Sequence, residues 1–195
     1  MKNITKILSL IFGVCLITLT SCTSTPKAYE PTPKGKIIVK NIPEMKAFET
    51  SCEGNYFTNS NQLFRILFKY LNKNDLAMTI PVEAKISPAK MIFIVKDSET
   101  AKELQNTDLV KVITIPARKV LSIGVTGRYS QENFIEGKKI LQQYLIEHPE
   151  YTQNGDFFAV YWDNPMIVPY FIRKSEINVP ILENSMLDKN NSPTK

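Results

Sequence analysis

The stretch IPEMKAFETSCEGNY (Ile42–Tyr56) decides the fold, because its pattern returns as IPARKVLSIGVTGRY (Ile115–Tyr129). Both segments begin with Ile-Pro-x-x-Lys and end with Gly-x-Tyr, and each leads into an amphipathic helix and further strands. One such half cannot bury both sides of its sheet. We therefore expect an α+β fold in which two pseudo-symmetric βαβ-type repeats form a distorted antiparallel β-barrel with two flanking helices.

Within each half, hydrophobic periodicity predicts the elements that follow the repeat. The first helix is expected over residues 59–73 with its cap near Ser60 or Asn61, and the second over residues 130–148, ended by Pro149. LAMTIPVEAKI (Leu76–Ile86) has the composition of a strand, although Pro81 lacks the N–H that a central ladder needs. We interpret Pro81 as a bulge or bend. The segment VPYFIRKSEI (residues 168–177) is expected to be the last strand.

The N-terminal sequence has the features of an export signal. Lys2 and Lys6 precede an apolar run, residues 7–19, that is too short to span a bilayer. It ends in Leu-Thr-Ser-Cys, which resembles the lipobox of bacterial lipoproteins. We expect residues 1–21 to be removed and Cys22 to be lipidated; an ordinary secretory signal peptide is the alternative. Thr23, in place of an Asp, favours the outer membrane by the usual bacterial sorting rule, so a lipid-anchored protein of the cell envelope, in the periplasm or at the outer membrane, is expected.

Composition divides the remaining chain. Residues 22–35 are rich in Thr, Pro and Lys, which is typical of an extended tether, and residues 183–195 have the polar character of a disordered tail. Residues 36–182 are then one ligand-binding domain in a chain of 195 residues. The formal net charge of +5 is spread over all predicted elements, so nucleic-acid binding is not expected.

Residues that support catalysis are scarce. The sequence has no G-x-S-x-G, Walker, H-E-x-x-H or C-x-x-C motif, and His148 is its one histidine. His148 ends a helix, where a cation suits the helix dipole. Cys52 lies in the other half, so a nucleophile and base pair is not indicated, and a small buried thiol is expected instead. We predict no enzyme activity and no metal site of protein ligands.

The first helix offers a candidate ligand surface. Its apolar residues cover about twice the arc of an ordinary core stripe. The flank with Phe64 and Phe68 adjoins Arg65 and Lys69, a combination that suits a flat apolar ligand bearing carboxylates. Alternatively, the helix packs deeply on its sheet and the basic residues are a solvated face.

The chain resembles the SOUL haem-binding family over about residues 36–181. In that family a Leu-Phe-rich helix leads into Met-Thr-x-Pro-Val, as Leu63-Phe64 through Tyr70-Leu71 lead into residues 78–82 here. The closing pattern is similar too, and its positions are Tyr161, Pro165, Pro169, Arg173 and Glu176.

The resemblance implies that haem or a related tetrapyrrole lies against the first helix. Arg65, Lys69 and Lys73 then pair with propionates, and Met78 lies at the cleft wall, unless it only packs in the core. Some members ligate haem through a histidine, which the mature chain lacks outside the end of the second helix, so a Tyr, Met or Cys ligand or hydrophobic contact takes its place.

The same fold resembles the effector-binding domains of gyrase-inhibitor-like and multidrug-sensing regulators, which hold amphipathic ligands in a central cleft, often with a buried Glu. Glu176 would take that role, unless it is a surface charge. The alternatives to tetrapyrrole binding are therefore a module for another amphipathic small molecule, a tetrapyrrole-acting enzyme or hydrolase, and a structural envelope lipoprotein.

Overall fold

The computed structural model describes residues 28–95 and 104–184, which form an α+β domain. Its strands are β1 (Ile37–Ile42), β2 (Met45–Cys52), β3 (Val82–Lys85), β4 (Ala89–Ile94), β5 (Lys111–Ile115), β6 (Arg118–Thr126), β7 (Tyr151–Gln153), β8 (Phe158–Tyr161) and β9 (Lys174–Glu183). Its helices are α1 (Tyr56–Lys73) and α2 (Gln131–Glu147), and a short 3-10 helix covers Tyr170–Ile172.

The sheet confirms the predicted pseudo-symmetry. Its antiparallel strands run in the order β1-β6-β9-β8-β3-β4-β2-β5 and curl into a half-barrel, while β7 pairs with β9. The order reads the same from both ends once the halves are exchanged, since β1 corresponds to β5 and β2 to β6. Each half gives its first strand to the other: β1 pairs with β6, and β5 pairs with β2. The pair β3–β8 lies at the centre.

The repeated Gly-x-Tyr marks the turn into each helix. Gly54 has φ +90° and Gly127 has φ +134°, a backbone region that residues with a Cβ rarely adopt. Asn55 then caps α1 by accepting a hydrogen bond from the Phe57 N–H, and Ser130 caps α2 in the same way through Asn133. Both halves thus place a positive-φ glycine before the helix, but the cap follows one residue after Gly54 and three residues after Gly127.

Three predicted boundaries were wrong. Helix α1 begins at Tyr56 and not near Ser60, because Asn55 caps it first. The expected strand over residues 76–86 is regular only in β3, since Pro81 follows Ile80 through a cis peptide bond and has no N–H for the ladder. Residues 170–172 form a 3-10 helix, so the last strand begins later, at Lys174.

The two faces of the sheet bury different groups. Both helices pack on one face, the helix side, with a cluster that includes Leu63, Leu67, Phe93 and Ile177. Because neighbouring strand residues point to opposite faces, Glu176 next to Ile177 faces the other side. That side carries a second cluster, which consists of Ile42, Met45, Ile94, Val120, Phe158, Val160 and Trp162. Residues 28–35 lie across it, and we call them the strap.

Candidate functional site

The outer flank of α1 carries two stacked phenylalanines. The rings of Phe64 and Phe68 lie 5.5 Å apart with an angle of 13° between their planes. Phe64 is half-buried and its ring contacts Phe93 edge-on at 5.8 Å, which fixes the inner end of the pair to the core. Phe68 remains 42% exposed. The flank therefore presents a firmly held aromatic surface to solvent.

Three cations continue this surface toward solvent. Arg65, Lys69 and Lys73 recur at helical spacing and are all exposed. Among residues 28–95 and 104–184, none forms an ion pair with them, whereas the lysines Lys40, Lys90 and Lys119 are paired. Free cations beside exposed aromatic rings can bind carboxylates of a flat ligand.

The structure separates the remaining predicted site residues from this flank. Met78 follows α1, is half-buried and packs against the helix-side cluster, so it supports the core beneath the flank. Glu176 is fully buried on the other face of the sheet. The predicted set therefore divides into a flank site on α1 and a second site around Glu176.

Glu176 is surrounded by donors. The Lys40 ammonium donates to its Oε2 atom at 2.7 Å, and the backbone N–H of Thr32 donates to its Oε1 atom. The Asn178 amide donates to Oε2 at 3.3 Å, and Ser122 lies beside it, bonded to Thr32 through its hydroxyl. Burial lowers the pKa of Lys40, and the nearby Glu176 carboxylate opposes that shift. A buried carboxylate is stable only when it is paired with a cation and hydrogen-bonded, and these contacts supply both.

A second buried carboxylate lies on the same side. Arg118 donates to both oxygens of Glu83, at 2.5 and 2.6 Å, and its guanidinium lies 4.8 Å from the ring centre of Phe158. Burial raises the pKa of Glu83, while the Arg118 charge reduces that rise. Burial also raises the pKa of Tyr29 beside it, so that hydroxyl stays protonated.

Several polar atoms on this side have no hydrogen-bond partner among the described residues. They include Nε of Arg118, Nε1 of Trp162 and Oδ1 of Asn178, all of them buried. Unpaired buried donors and acceptors are uncommon in folded proteins, and they often mark places where a water or ligand binds. The strap side therefore has the groups of a polar site beneath a cover.

The strap is that cover. Its first residue, Ala28, donates through its N–H to the Ile80 carbonyl, and the ring of Tyr29 contacts Trp162 edge-on at 5.1 Å. At its other end the Gly35 N–H donates to the Gly124 carbonyl. A Cβ at Gly124 would lie 2.3 Å from the Pro33 carbonyl oxygen, so only glycine allows this approach.

The sequence assigned residues 28–35 to the tether, and here the structure differs. Their Pro, Thr and Lys content is typical of solvated chain, yet Thr32 is buried against Glu176. The one usable signal was Tyr29, an aromatic residue in an otherwise polar stretch. Lys40, Glu83, Arg118 and Trp162 were also missed, because their partners are distant in sequence.

The remaining candidates have structural contacts. His148 caps α2, its Nδ1 lies 2.9 Å from a Glu150 oxygen, and its ring stacks on Tyr144 at 3.9 Å. Cys52 is half-buried against the helix-side cluster. Among the described residues, no three His, Cys, Asp or Glu side chains group closely enough to hold a metal ion. Nor does this part of the chain contain a helix with the length and apolar character of a membrane span.

Comparison with solved structures shows the fold. The C-terminal domain of EcmrR is 16% identical, with a TM-score of 0.61 over 76% of this chain and 98% of that domain. EcmrR in its DNA complex gives a TM-score of 0.63 at 16% identity, and this chain spans 58% of it. A protein from Listeria innocua described as a hydrolase is 13% identical, with a TM-score of 0.52 over 79% of this chain and 94% of its own.

Sequence comparison identifies the family. No curated protein matches the chain. Residues 27–180, by contrast, match the family described as SOUL heme-binding protein, and this range contains α1, the strap and both buried carboxylates. The chain therefore belongs to the SOUL heme-binding protein family.

Proposed function

We propose that this protein is a membrane-anchored binding protein for haem or a related tetrapyrrole, and that the ligand lies on the outer flank of α1. The observation that carries the proposal is the pair of stacked rings, Phe64 and Phe68, beside the exposed cations Arg65 and Lys69. A tetrapyrrole has the matching chemistry, a broad flat apolar ring system with carboxylates at one edge. The family membership supports this ligand class.

The flank is suited to contact the porphyrin ring and its propionates, and His148 does not belong to it as an iron ligand. Phe68 provides exposed aromatic area, and Arg65, Lys69 and Lys73 would hold the propionates. His148 belongs to the other half, where it contacts Glu150 and Tyr144. Binding by ring contact and propionate pairing does not need iron, so protoporphyrin should bind about as well as haemin. Because the family is one of binding domains, we propose no reaction.

Titration of the protein with haemin and with protoporphyrin tests the flank site. Each charge-assisted contact at an exposed site contributes on the order of 1 kcal/mol, so Arg65→Ala with Lys69→Ala should weaken binding by roughly tenfold or more. The matched control is Lys111→Ala with Lys139→Ala, which removes two exposed cations elsewhere. Equal affinities of the two double variants would show that the flank is not the site.

The anchoring part of the proposal rests on Leu-Thr-Ser-Cys at residues 19–22. Several acyl chains on Cys22 would hold the protein on a membrane without a spanning helix, at about 0.8 kcal/mol for each buried CH₂. Cys22→Ala should abolish uptake of labelled fatty acid, whereas Cys52→Ala should not. Labelling of the Cys22→Ala variant would contradict the anchor. Fractionation of the two bacterial membranes tests the outer-membrane assignment.

A second candidate function is supported by the strap side. The buried pairs Glu176–Lys40 and Glu83–Arg118, together with the unpaired polar atoms there, are suited to an amphipathic small molecule that displaces the strap. The fluorescence of Trp162 would report displacement of the strap, because the Tyr29 ring of the strap contacts it. Non-porphyrin amphipathic cations that change Trp162 emission, with affinity lost in Glu176→Gln, would favour this function over the flank site.

A further inference from the structure

The most exposed apolar surface among the described residues is the loop between β8 and β9. This loop, residues 163–173, presents five large apolar side chains to solvent, namely Met166, Ile167, Tyr170, Phe171 and Ile172. Met166 is 85% exposed and Ile167 78% exposed. A contiguous apolar tip of this kind is unusual on a soluble surface and marks an interaction site. The core does not require it, since β8 and β9 already pair up to Tyr161 and Ser175.

The loop is held in one conformation by its own hydrogen bonds. The N–H groups of Ile167 and Val168 donate to the Asn164 carbonyl, and the Ile172 N–H donates to the Pro169 carbonyl. Arg173 donates to the Val168 carbonyl at 2.7 Å and also to the Pro165 carbonyl. The apolar side chains are therefore presented by an ordered loop, which lowers the entropy cost of inserting them into a partner.

Basic groups surround the base of the loop. The Arg128 guanidinium lies 4.2 Å from the ring centre of Tyr170, Arg173 is the last residue of the loop, and Lys174 follows it. The one acidic side chain within the loop, Asp163, is half-buried and accepts a hydrogen bond from the Lys174 N–H. An apolar tip with a basic base matches the layers of a membrane surface, where acyl chains lie beneath anionic headgroups.

The strap brings the N-terminal anchor to this end of the sheet. Tyr29 contacts Trp162, the residue that directly precedes the loop, and Ala28 is bonded to Ile80 nearby. Cys22 lies six residues before Ala28. At about 3.4 Å per residue, those residues extend over at most about 20 Å, so a lipidated Cys22 would keep the loop close to the bilayer.

We infer that residues 166–172 insert into the membrane interface as a second, folded contact beside the lipid anchor. This inference rests on the proposed anchoring. With two contacts, the domain is held at a defined orientation to the membrane and does not swing freely on its tether. The acyl chains supply most of the affinity, and the loop determines which side of the domain faces the lipid.

The test uses the full chain, purified from bacterial membranes and reconstituted into vesicles of phosphatidylethanolamine and phosphatidylglycerol with brominated acyl chains. The probe is the Phe171→Trp variant, and the matched control is Ile146→Trp, a residue 75% exposed near the end of α2. Ile146 lies about 22 Å along the helix from Gln131, the end nearer Arg128. Trp162 is common to both variants, so its emission cancels.

Quenching of the emission of Phe171→Trp, but not of Ile146→Trp, is the expected result. Adding Met166→Ser and Ile167→Ser to Phe171→Trp should relieve that quenching, because the tip no longer favours acyl chains. A chain that floats with vesicles without quenching of Phe171→Trp would overturn the loop contact alone. A chain that does not float with the vesicles would overturn the anchoring proposal, and the loop contact with it.

Discussion

The Lys40 ammonium lies 2.7 Å from the Glu176 carboxylate, and Glu176 has no exposed side-chain surface. Lys40→Met would leave that carboxylate buried without its cation, which typically costs about 3–5 kcal/mol of unfolding free energy. Combining Lys40→Met with Glu176→Gln should recover part of this loss, since no charge then stays unpaired. Denaturant unfolding measures both.

The matched control for that prediction is the ion pair Lys119–Glu183, in which the Glu183 side chain is 52% exposed. Lys119→Met should cost at most about 1 kcal/mol, because an exposed pair contributes little. Equal losses in Lys40→Met and Lys119→Met would mean that the Glu176 site is solvated.

Glu83 should give the stability of the protein a recognisable pH dependence. Burial raises its pKa in the folded state above the ordinary value of 4.5, so the folded state holds the proton to higher pH than the unfolded chain does. Unfolding free energy from this group therefore falls as the pH rises from about 4.5 through the folded pKa. The Glu83→Gln variant has no carboxyl group at this position and therefore lacks this pH dependence.

The measurement is the difference in unfolding free energy between the wild type and Glu83→Gln across that pH range. As the pH rises, the unfolding free energy of the wild type should fall relative to that of Glu83→Gln. A difference that shifts in favour of the wild type would show that the Arg118 charge outweighs burial and that the pKa of Glu83 is lowered.

Gly124→Ala should release the strap from the sheet. The added Cβ would meet the carbonyl oxygens of Pro33 and Thr32, which are backbone atoms and cannot rotate away. Tyr29 should then leave Trp162, so the emission of Trp162 should change and the unfolding free energy should fall. Fluorescence and denaturant unfolding of the same samples measure both effects.

Gly54→Ala is the control for strap release. Its φ of +90° strains any residue with a Cβ, but the new atom would meet only the Asn59 side chain, at 3.4 Å. This variant should lose stability without a change in native Trp162 emission. If Gly124→Ala also leaves native emission unchanged, the strap tolerates the added Cβ.

His148→Ala should leave haemin binding unaltered. His148 is the C-cap of α2 and contacts Glu150 and Tyr144, while the proposed ligand flank belongs to α1. Affinity and Soret position should match those of the wild type, and Phe68→Ala should weaken binding through lost ring contact. A Soret shift in His148→Ala would place the haem at α2.

The sequence predicted the fold well because its information is local and repeated. The Ile-Pro and Gly-x-Tyr positions lie at or just after the ends of corresponding strands of the two halves, and the helices follow from 3.6-residue periodicity. Phe64, Arg65, Phe68 and Lys69 could be grouped from sequence because helical spacing alone brings them together.

The strap-side site could not be predicted in the same way. Thr32 and Glu176 meet across 144 positions of sequence, and Arg118 reaches Glu83 across 35. Nothing in the composition of residues 28–35 distinguishes a chain that crosses a sheet from a tether. Glu176 lies on the face of β9 that the helices do not cover, so its burial depends on the strap, and the strap is placed by tertiary packing.

The exchange of first strands between the halves has a consequence for cooperativity. Since β1 pairs with β6 and β5 pairs with β2, each half alone would keep only three paired strands of the main sheet and would lose the partner of its first strand. Unfolding is then expected to be a single event for the described domain. A ligand bound at α1 would therefore protect distant strands such as β9 against proteolysis and amide exchange, although it touches only one helix.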